Sequence, residues 1–303
     1  MKLLYLLEGI RFPLLDELML LITQLGEETA FLAAAMIVFW CVDKNRGYFL
    51  MAVGFVGTIF NQFLKLLCRV PRPWIMDPNF TPVEGAVEAA TGYSFPSGHS
   101  QSAVGTFGSL AATGKQKVLR GVFIAIAVLV PFSRMYLGVH TPADVLVGSG
   151  CALALIFALR FLVEGKFLKP VILIMSGVSV LYLIAVQFLF DPATLDAHNY
   201  ASGLKNAYTL LGSIFGVVVV YFVDKKWVHF DVKAIWWAQI MKVIGGLGVV
   251  LLVKEGLRSP LTVLFGELPG RSVRYFLVVL VAGIFWPMTF RWFATLGKKE
   301  KQC

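Results

Sequence analysis

One break in an otherwise apolar sequence holds residue types that could bind and protonate an anion. It reads Gly-Tyr-Ser-Phe-Pro-Ser-Gly-His-Ser over residues 92–100, and a new apolar run follows it. Proline favours the first turn of a helix, and a helix N-terminus offers unpaired N–H groups and a positive dipole to anions. Ser97, Gly98 and His99 are therefore predicted to lie beside a bound anion. Taken alone, the stretch is explained as well by an ordinary helix cap with a stray histidine.

Basic residues upstream and a histidine–aspartate pair downstream could complete such a site. Lys65 ends a long apolar run, and Arg72 lies between two prolines on extended or turn backbone. Arg134 ends another apolar run. Asp144 follows His140 by four residues, one helical turn, so its carboxylate could orient the imidazole as in many hydrolases. Taken separately, these residues are also explained by cations that flank membrane helices and by a structural His–Asp pair.

Together the three stretches resemble the signature of the type 2 phosphatidic acid phosphatase superfamily. The pattern is Lys-x6-Arg-Pro, then Pro-Ser-Gly-His, then Ser-Arg-x5-His-x3-Asp, and every position is present in order between residues 65 and 144. The superfamily includes lipid phosphate phosphatases, glucose-6-phosphatase, bacterial acid phosphatases and vanadium haloperoxidases. A combined pattern of this length is far more specific than any of its three parts.

The resemblance implies a role for each of eight residues, called here the signature residues. His140 resembles the nucleophile that becomes phosphohistidine, Asp144 its orienting partner, and His99 the general acid that protonates the leaving oxygen. The implied phosphate-binding residues are Lys65, Arg72, Ser97, Gly98 and Arg134. Phosphoryl transfer needs charge compensation, an in-line nucleophile and a proton for the leaving group. These residues supply all three, so no metal and no other cofactor is expected.

The composition predicts an all-α polytopic membrane protein. Of 303 residues, 58% are hydrophobic and 15% are charged, and the mean hydropathy is +0.76. Soluble domains are about one quarter charged. The long runs are continuously apolar and lack the alternation of a β-barrel, which favours a transmembrane helical bundle. The net charge of +9 lies in short loops rather than on one face, so nucleic acid is not expected as a partner.

Nine apolar spans are predicted after an N-terminal segment, residues 1–25, that is either interfacial or transmembrane. The spans lie near residues 28–42, 48–67, 101–113, 118–137, 144–163, 168–190, 207–223, 236–253 and 272–293. We expect residues 1–165 to form a membrane phosphatase core of about six helices. Residues 166–303 should add about four transmembrane helices packed on that core.

Basic residues in alternate loops predict the orientation in the membrane. Counting nine spans places five basic groups on one side, at residues 44–46, 115–120, 166–169, 225–233 and 298–301. The positive-inside rule makes that side cytoplasmic. The signature residues then face the extracytoplasmic or luminal side.

These features predict an integral membrane phosphatase that hydrolyses a lipid phosphate or diphosphate in the lipid bilayer. Undecaprenyl diphosphate, phosphatidate and a sphingoid phosphate are all compatible substrates. The alternatives are a phosphatase of a soluble ester, resembling glucose-6-phosphatase, and a non-catalytic lipid transporter. The carboxylates of Asp77, Glu84 and Glu88 have no metal-ligand spacing and are predicted to face solvent. Glu27 and Glu28 are interpreted in the same way.

Overall fold

The computed structural model describes residues 1–88 and 90–296, and every regular element in this part of the chain is a helix. Continuously apolar sequence favours this outcome, because a helix satisfies its own backbone hydrogen bonds inside hydrocarbon. Seven of the described helices are long and apolar enough to cross a membrane. The pair Pro13–Gln24 and Glu28–Cys41, bent by 49°, adds an eighth span if it is counted as one. The predicted all-α polytopic bundle is therefore confirmed.

The first half of the chain supplies helices α1 to α7. They are α1 Lys2–Glu8, α2 Pro13–Gln24, α3 Glu28–Cys41, α4 Lys44–Cys68, α5 Gly98–Ala103, α6 Lys117–Tyr136 and α7 Pro142–Leu159. Two single-turn helices, Pro73–Met76 and Glu84–Val87, lie between α4 and α5. After α5 the chain continues through a π-helical segment, Val104–Gly108, into a short α-helix, Ser109–Thr113.

The second half supplies helices α8 to α12. They are α8 Leu168–Ile184, α9 Ala197–Val223, α10 Trp236–Gly256, α11 Arg258–Phe265 and α12 Glu267–Leu280. A π-helical segment, Val281–Phe285, extends α12, and two short helices follow it, Trp286–Met288 and Phe290–Thr295. The basic group at residues 298–301 lies outside the described residues.

Helices occupy all nine predicted spans, but two of these spans are not simple crossings. The span at 28–42 is α3, which is joined to α2 by a sharp bend. The span at 101–113 is α5 with its continuation, which ends before Gly114 and is shorter than the ~20 residues of a full crossing. Residues 1–25 form α1 and α2, and α2 belongs to the bent pair.

One apolar core joins the N-terminal and C-terminal helices, with buried side chains from α3, α4, α8 and α9 among others. Trp40 Nε1 of α3 donates to the carbonyl of Ala282 at 2.9 Å. Lys242 of α10 is fully buried, and its Nζ donates to the carbonyl of Trp40 at 2.9 Å. The helices after residue 165 thus pack directly on the first half, although the division into two domains at that point stays a prediction.

Candidate active site

The eight signature residues lie together at one end of the bundle. Lys65 is in the last turn of α4, and Arg134 is in the last turn of α6. Ser97 is the N-cap of α5, and Asp144 is in the first turn of α7. Six of the eight line one cavity of about 450 Å³: Lys65, Arg72, Gly98, His99, Arg134 and His140. The other two are buried and adjoin this lining.

His140 lies between α6 and α7, and its two ring nitrogens face different residues. Its Nε2 is 2.9 Å from Nη1 of Arg72, which donates to it. Its Nδ1 is 3.4 Å from Oδ2 of Asp144. Ser94 Oγ lies 3.4 Å from the same Nδ1 and donates to Asp144 Oδ2 at 2.6 Å. Because a guanidinium can only donate, Nε2 is the accepting nitrogen and Nδ1 carries the proton, which lies towards Ser94 Oγ and Asp144 Oδ2.

The charge state of His140 follows from its surroundings. The side chain is 2% exposed. Burial, and then the positive charges of Arg72, Arg134 and Lys65, lower the pKa of His140 well below its ordinary value. The imidazole is therefore neutral at neutral pH, and its Nε2 lone pair accepts the hydrogen bond from Arg72.

Asp144 is held in place by the start of α7. Its Oδ2 accepts from the backbone N–H of Thr141 at 2.7 Å, and Thr141 Oγ1 accepts from the backbone N–H of Asp144 at 3.3 Å. This capping box, with Pro142 at the first helical position, is what the sequence Thr-Pro-Ala-Asp favours. The backbone N–H of Ser97 donates to the carbonyl of Asp144 at 2.9 Å, which joins the starts of α5 and α7.

Backbone carbonyls hold two of the three cations of the cavity in place. Arg72 donates to the carbonyls of Thr91, Gly92 and Val139 at 2.7, 3.0 and 3.0 Å. Lys65 Nζ donates to the carbonyl of Tyr93. Fixed charges of this kind stabilise phosphoryl oxygens without reorganising during the reaction.

Arg134 is anchored differently and keeps free donors. It is fully buried, and its Nη1 donates to Thr23 Oγ1 of α2 at 2.8 Å. Its Nε and Nη2 have no hydrogen-bond partner among the described residues. Buried guanidinium donors without partners are costly, so a bound anion is the natural acceptor for them.

The start of α5 forms another side of the cavity. Ser97 Oγ caps the helix by accepting from the backbone N–H of Ser100 at 3.3 Å, and it also accepts from Ser100 Oγ at 2.8 Å. His99 lines the cavity, and its buried Nε2 has no partner in the part of the chain that the structure describes. The assignment of Ser97 and Gly98 to phosphate binding and of His99 to acid catalysis stays a prediction.

Two family models match the chain, and the first of them covers all eight signature residues. Residues 46–167 match the PAP2 superfamily, the family of the signature, and residues 208–299 match a model described as PAP2 superfamily phosphatase, transmembrane extension. Phosphatidylglycerophosphatase B of Bacillus subtilis is 33% identical over 165 residues, which cover 50% of this chain and 76% of that protein. The chain belongs to the PAP2 superfamily. No solved structure matches it.

Other relatives span lipid and sugar phosphatases. A probable sphingosine-1-phosphate phosphatase of Dictyostelium discoideum is 28% identical over 240 residues, 74% of this chain and 56% of that protein. The glucose-6-phosphatase catalytic subunit 1 of Mus musculus is 28% identical over 253 residues, 71% and 64% of the two chains. The chain thus spans less than two thirds of the length of these two relatives. The PAP2 matches and the relatives' names support a phosphatase, a hydrolase of phosphoric monoesters or diphosphates.

Acidic residues at the start of α3 also reach the cavity of this PAP2 protein. Glu27 and Glu28 line it, which the solvent-facing interpretation of the sequence missed, although Glu28 also remains exposed. Glu84 and Glu88 are exposed as predicted, and Asp77 is half-buried and accepts from a tyrosine hydroxyl. Two carboxylates beside three cations offset part of the positive charge of the cavity.

Helix α9, which enters the transmembrane extension at residue 208, contributes a wall to the same cavity. Asn206, Thr209, Leu210 and Ser213 of α9 line it, and sequence reasoning named none of them. Thr209 Oγ1 accepts from Nε of Arg271 on α12 at 2.6 Å. No local motif marks these residues, because their role depends on how α9 packs against α4.

Proposed function

We propose that this PAP2 protein hydrolyses a lipid phosphate or diphosphate through a phosphohistidine intermediate at His140. The observation that carries the proposal is the orientation of the imidazole. Its Nε2 faces a cavity lined by three cations, and its Nδ1 faces Asp144. A neutral imidazole in this orientation can attack a phosphorus atom whose oxygens the cations hold, once Arg72 Nη1 transfers its hydrogen bond from Nε2 to a phosphoryl oxygen.

The proposed reaction has two steps. His140 Nε2 forms a bond to phosphorus while the bond from phosphorus to the leaving oxygen breaks, and protonated His99 gives that oxygen a proton. Burial and the charges of Arg134, Arg72 and Lys65 lower the pKa of His99 to about 3 without substrate, so the negative charge of the bound phosphate is needed to keep this proton on the imidazole. Water then attacks the phosphohistidine, His99 takes a proton from it, and the N–P bond breaks to release inorganic phosphate. Lys65, Arg72 and Arg134 hold the phosphoryl oxygens in both steps.

The surroundings of the cavity support a lipid substrate. An apolar groove lined by Leu21, Ile22, Leu25 and Ala30 adjoins the cavity, and Glu27 and Thr29 line both. An amphiphile fits this pair of spaces, with its phosphate in the charged cavity and its tail in the groove. The similarity to the mouse glucose-6-phosphatase subunit makes a soluble phosphate ester the second candidate.

A substrate panel tests the lipid assignment. Purified full-length protein in detergent is assayed for phosphate release from phosphatidate, a prenyl diphosphate and glucose 6-phosphate, with the His140→Ala variant as the control for contaminating phosphatases. We expect release from at least one of the two lipids, and none by the variant. Release from the sugar ester alone would contradict the lipid assignment and favour the soluble-ester candidate.

We further propose that the site faces the extracytoplasmic or luminal side, because the described basic loops lie at the opposite ends of the spans. Asn79, in the loop near the site, and Gln116, before α6, are both exposed. In a cysteine-free background, the Asn79→Cys variant should react in intact cells with an impermeant thiol reagent. The Gln116→Cys variant should react only after permeabilisation, and the reverse pattern would place the site on the cytoplasmic side.

A further inference from the structure

A polar wall continues from the phosphate-binding residues into the membrane along α4. Thr58, Asn61 and Gln62 line the cavity together with Lys65. At a rise of about 1.5 Å per residue, these three side chains lie roughly 4–11 Å from Lys65 along the helix axis. The wall becomes apolar beyond them, where Phe55 lines the cavity.

The facing wall is α9, which runs antiparallel to α4. At one end of the pair, a Cβ on Gly203 would come within 2.9 Å of Leu66 Cδ1. At the other end, Lys44 Nζ lies 2.8 Å from Oδ2 of Asp224, just after α9. This register puts the three polar residues of α9 at the same depth as the polar part of α4: Asn206, Thr209 and Ser213.

Asn61 shows most clearly that this wall is built for a ligand. The residue is 3% exposed, and neither Oδ1 nor Nδ2 of its amide has a partner within residues 1–88 and 90–296. A Cβ on Gly98 would lie 3.5 Å from Asn61 Oδ1, so the amide adjoins the turn that holds the phosphate. A buried amide needs hydrogen-bond partners, and a ligand group in the cavity can supply them.

The cavity is larger than the phosphate alone requires. A phosphate group fills the volume of about two or three waters at about 30 Å³ each. Most of the cavity's roughly 450 Å³ is therefore open to the part of the substrate next to the phosphate. The polar residues beyond Lys65 on both walls are neutral donors and acceptors, which suit hydroxyl, ester or amine groups rather than a second phosphate.

We propose that Asn61 of α4, with Ser213 of α9, forms a hydrogen-bonding subsite for a polar linker between the phosphate and the apolar tail. The inference rests on the proposed lipid phosphatase function and narrows its substrate class. A glycerol or amino-alcohol backbone places hydroxyl, ester or amine groups directly beyond the phosphate. A prenyl or alkyl chain begins at the ester oxygen and would leave the Asn61 amide unpaired. The subsite therefore favours polyol and amino-alcohol phosphates and gives the transmembrane extension a direct part in specificity.

Matched substrates test this subsite in purified full-length protein. Lauroyl lysophosphatidate and dodecyl phosphate carry tails of the same length, but only the first has a polar linker. Glycerol 3-phosphate has the polar part and no tail. The Asn61→Leu variant replaces the amide with an apolar group of similar size. Ser213→Ala removes one hydroxyl from the facing wall, and Ser176→Ala, on α8 away from the cavity, makes the same change as a control.

The deciding quantity is the ratio of kcat/KM for lysophosphatidate to kcat/KM for dodecyl phosphate. We expect Asn61→Leu to lower kcat/KM for lysophosphatidate by about tenfold to hundredfold and for dodecyl phosphate by less than about threefold. Ser213→Ala should lower the same ratio by about threefold or more, and Ser176→Ala should leave it unchanged. If kcat/KM for glycerol 3-phosphate equals that for lysophosphatidate, the tail contributes nothing. The subsite would then serve a soluble phosphate ester, and the inference of a lipid substrate would be overturned.

The same measurements separate a failure of the subsite from a failure of the proposed function. Equal losses on lysophosphatidate and dodecyl phosphate would place Asn61 among the phosphate ligands and overturn the subsite, as would an unchanged ratio in both cavity variants. Wild-type protein that releases phosphate from a prenyl diphosphate but from none of these substrates would overturn the subsite alone. Correctly folded wild-type protein that releases phosphate from no lipid phosphate or diphosphate would contradict the proposed function itself.

Discussion

Ser94 offers a sharp test of how the histidine is positioned. Its hydroxyl is fully buried, donates to Asp144 Oδ2 at 2.6 Å and lies 3.4 Å from His140 Nδ1. Ser94→Ala removes that donor and leaves Thr141 N–H, at 2.7 Å, as the remaining short hydrogen bond to the same oxygen. We expect the carboxylate to hold the imidazole less firmly and the attack on phosphorus to slow.

The magnitude follows from the kind of hydrogen bond that is lost. A hydrogen bond to a charged group contributes about 1.5–3 kcal/mol, and about 1.4 kcal/mol corresponds to a factor of ten in rate. Complete loss would lower kcat by about 10-fold to 150-fold. Because Thr141 still holds the carboxylate, we expect a value near the lower limit, about tenfold, with little change in KM.

The assay is steady-state phosphate release by purified wild-type and variant protein, with thermal unfolding in the same detergent. Ser179→Ala is the matched control, because Ser179 is also a fully buried serine, on α8, and donates to a backbone carbonyl at 2.8 Å. An unchanged kcat in Ser94→Ala would refute the positioning role. So would an equal loss of kcat in Ser179→Ala, because the effect would then be one of general packing.

Two further predictions concern the general acid and the anchoring of a cation. His99→Ala should lower kcat far more for an alkyl phosphate than for p-nitrophenyl phosphate, because a poor leaving group depends more on protonation; equal losses on the two substrates would contradict an acid role. Thr23→Val removes the acceptor at 2.8 Å from Arg134 Nη1 and should raise KM about threefold to tenfold with a smaller change in kcat. An unchanged KM in Thr23→Val, measured against a conservative Thr295→Val control on an exposed helix end, would show that Arg134 needs no anchor.

The residues that sequence could predict are those whose spacing is local. Short stretches of sequence favour the capping box of Thr141 and Asp144 and the N-cap at Ser97. Both are present in the structure. The apolar runs also predicted the helices, because a membrane leaves the backbone few alternatives. The bend between α2 and α3 was missed. It occurs at Gly26, where a Cβ would lie 3.0 Å from the carbonyl of His99.

The residues that sequence could not predict come from separate helices that packing brings together. Ser94, Thr23 and Ser213 are ordinary polar residues in sequence, and each reaches the site only through its neighbours in space. Asn61 stands four residues before Lys65, so the helical period could have placed the two on one face of α4. Its lack of partners among the described residues is visible only once α5 and α9 are packed against α4.

The central claim is that His140 carries the phosphoryl group during turnover. Purified protein is mixed with a substrate labelled in its phosphate, quenched rapidly in alkali and digested, and the labelled peptide is identified by mass spectrometry. We predict label on the imidazole of His140 that is stable to alkali and lost in acid, and no label in His140→Ala. Label on another residue, or full turnover by His140→Ala, would contradict the account.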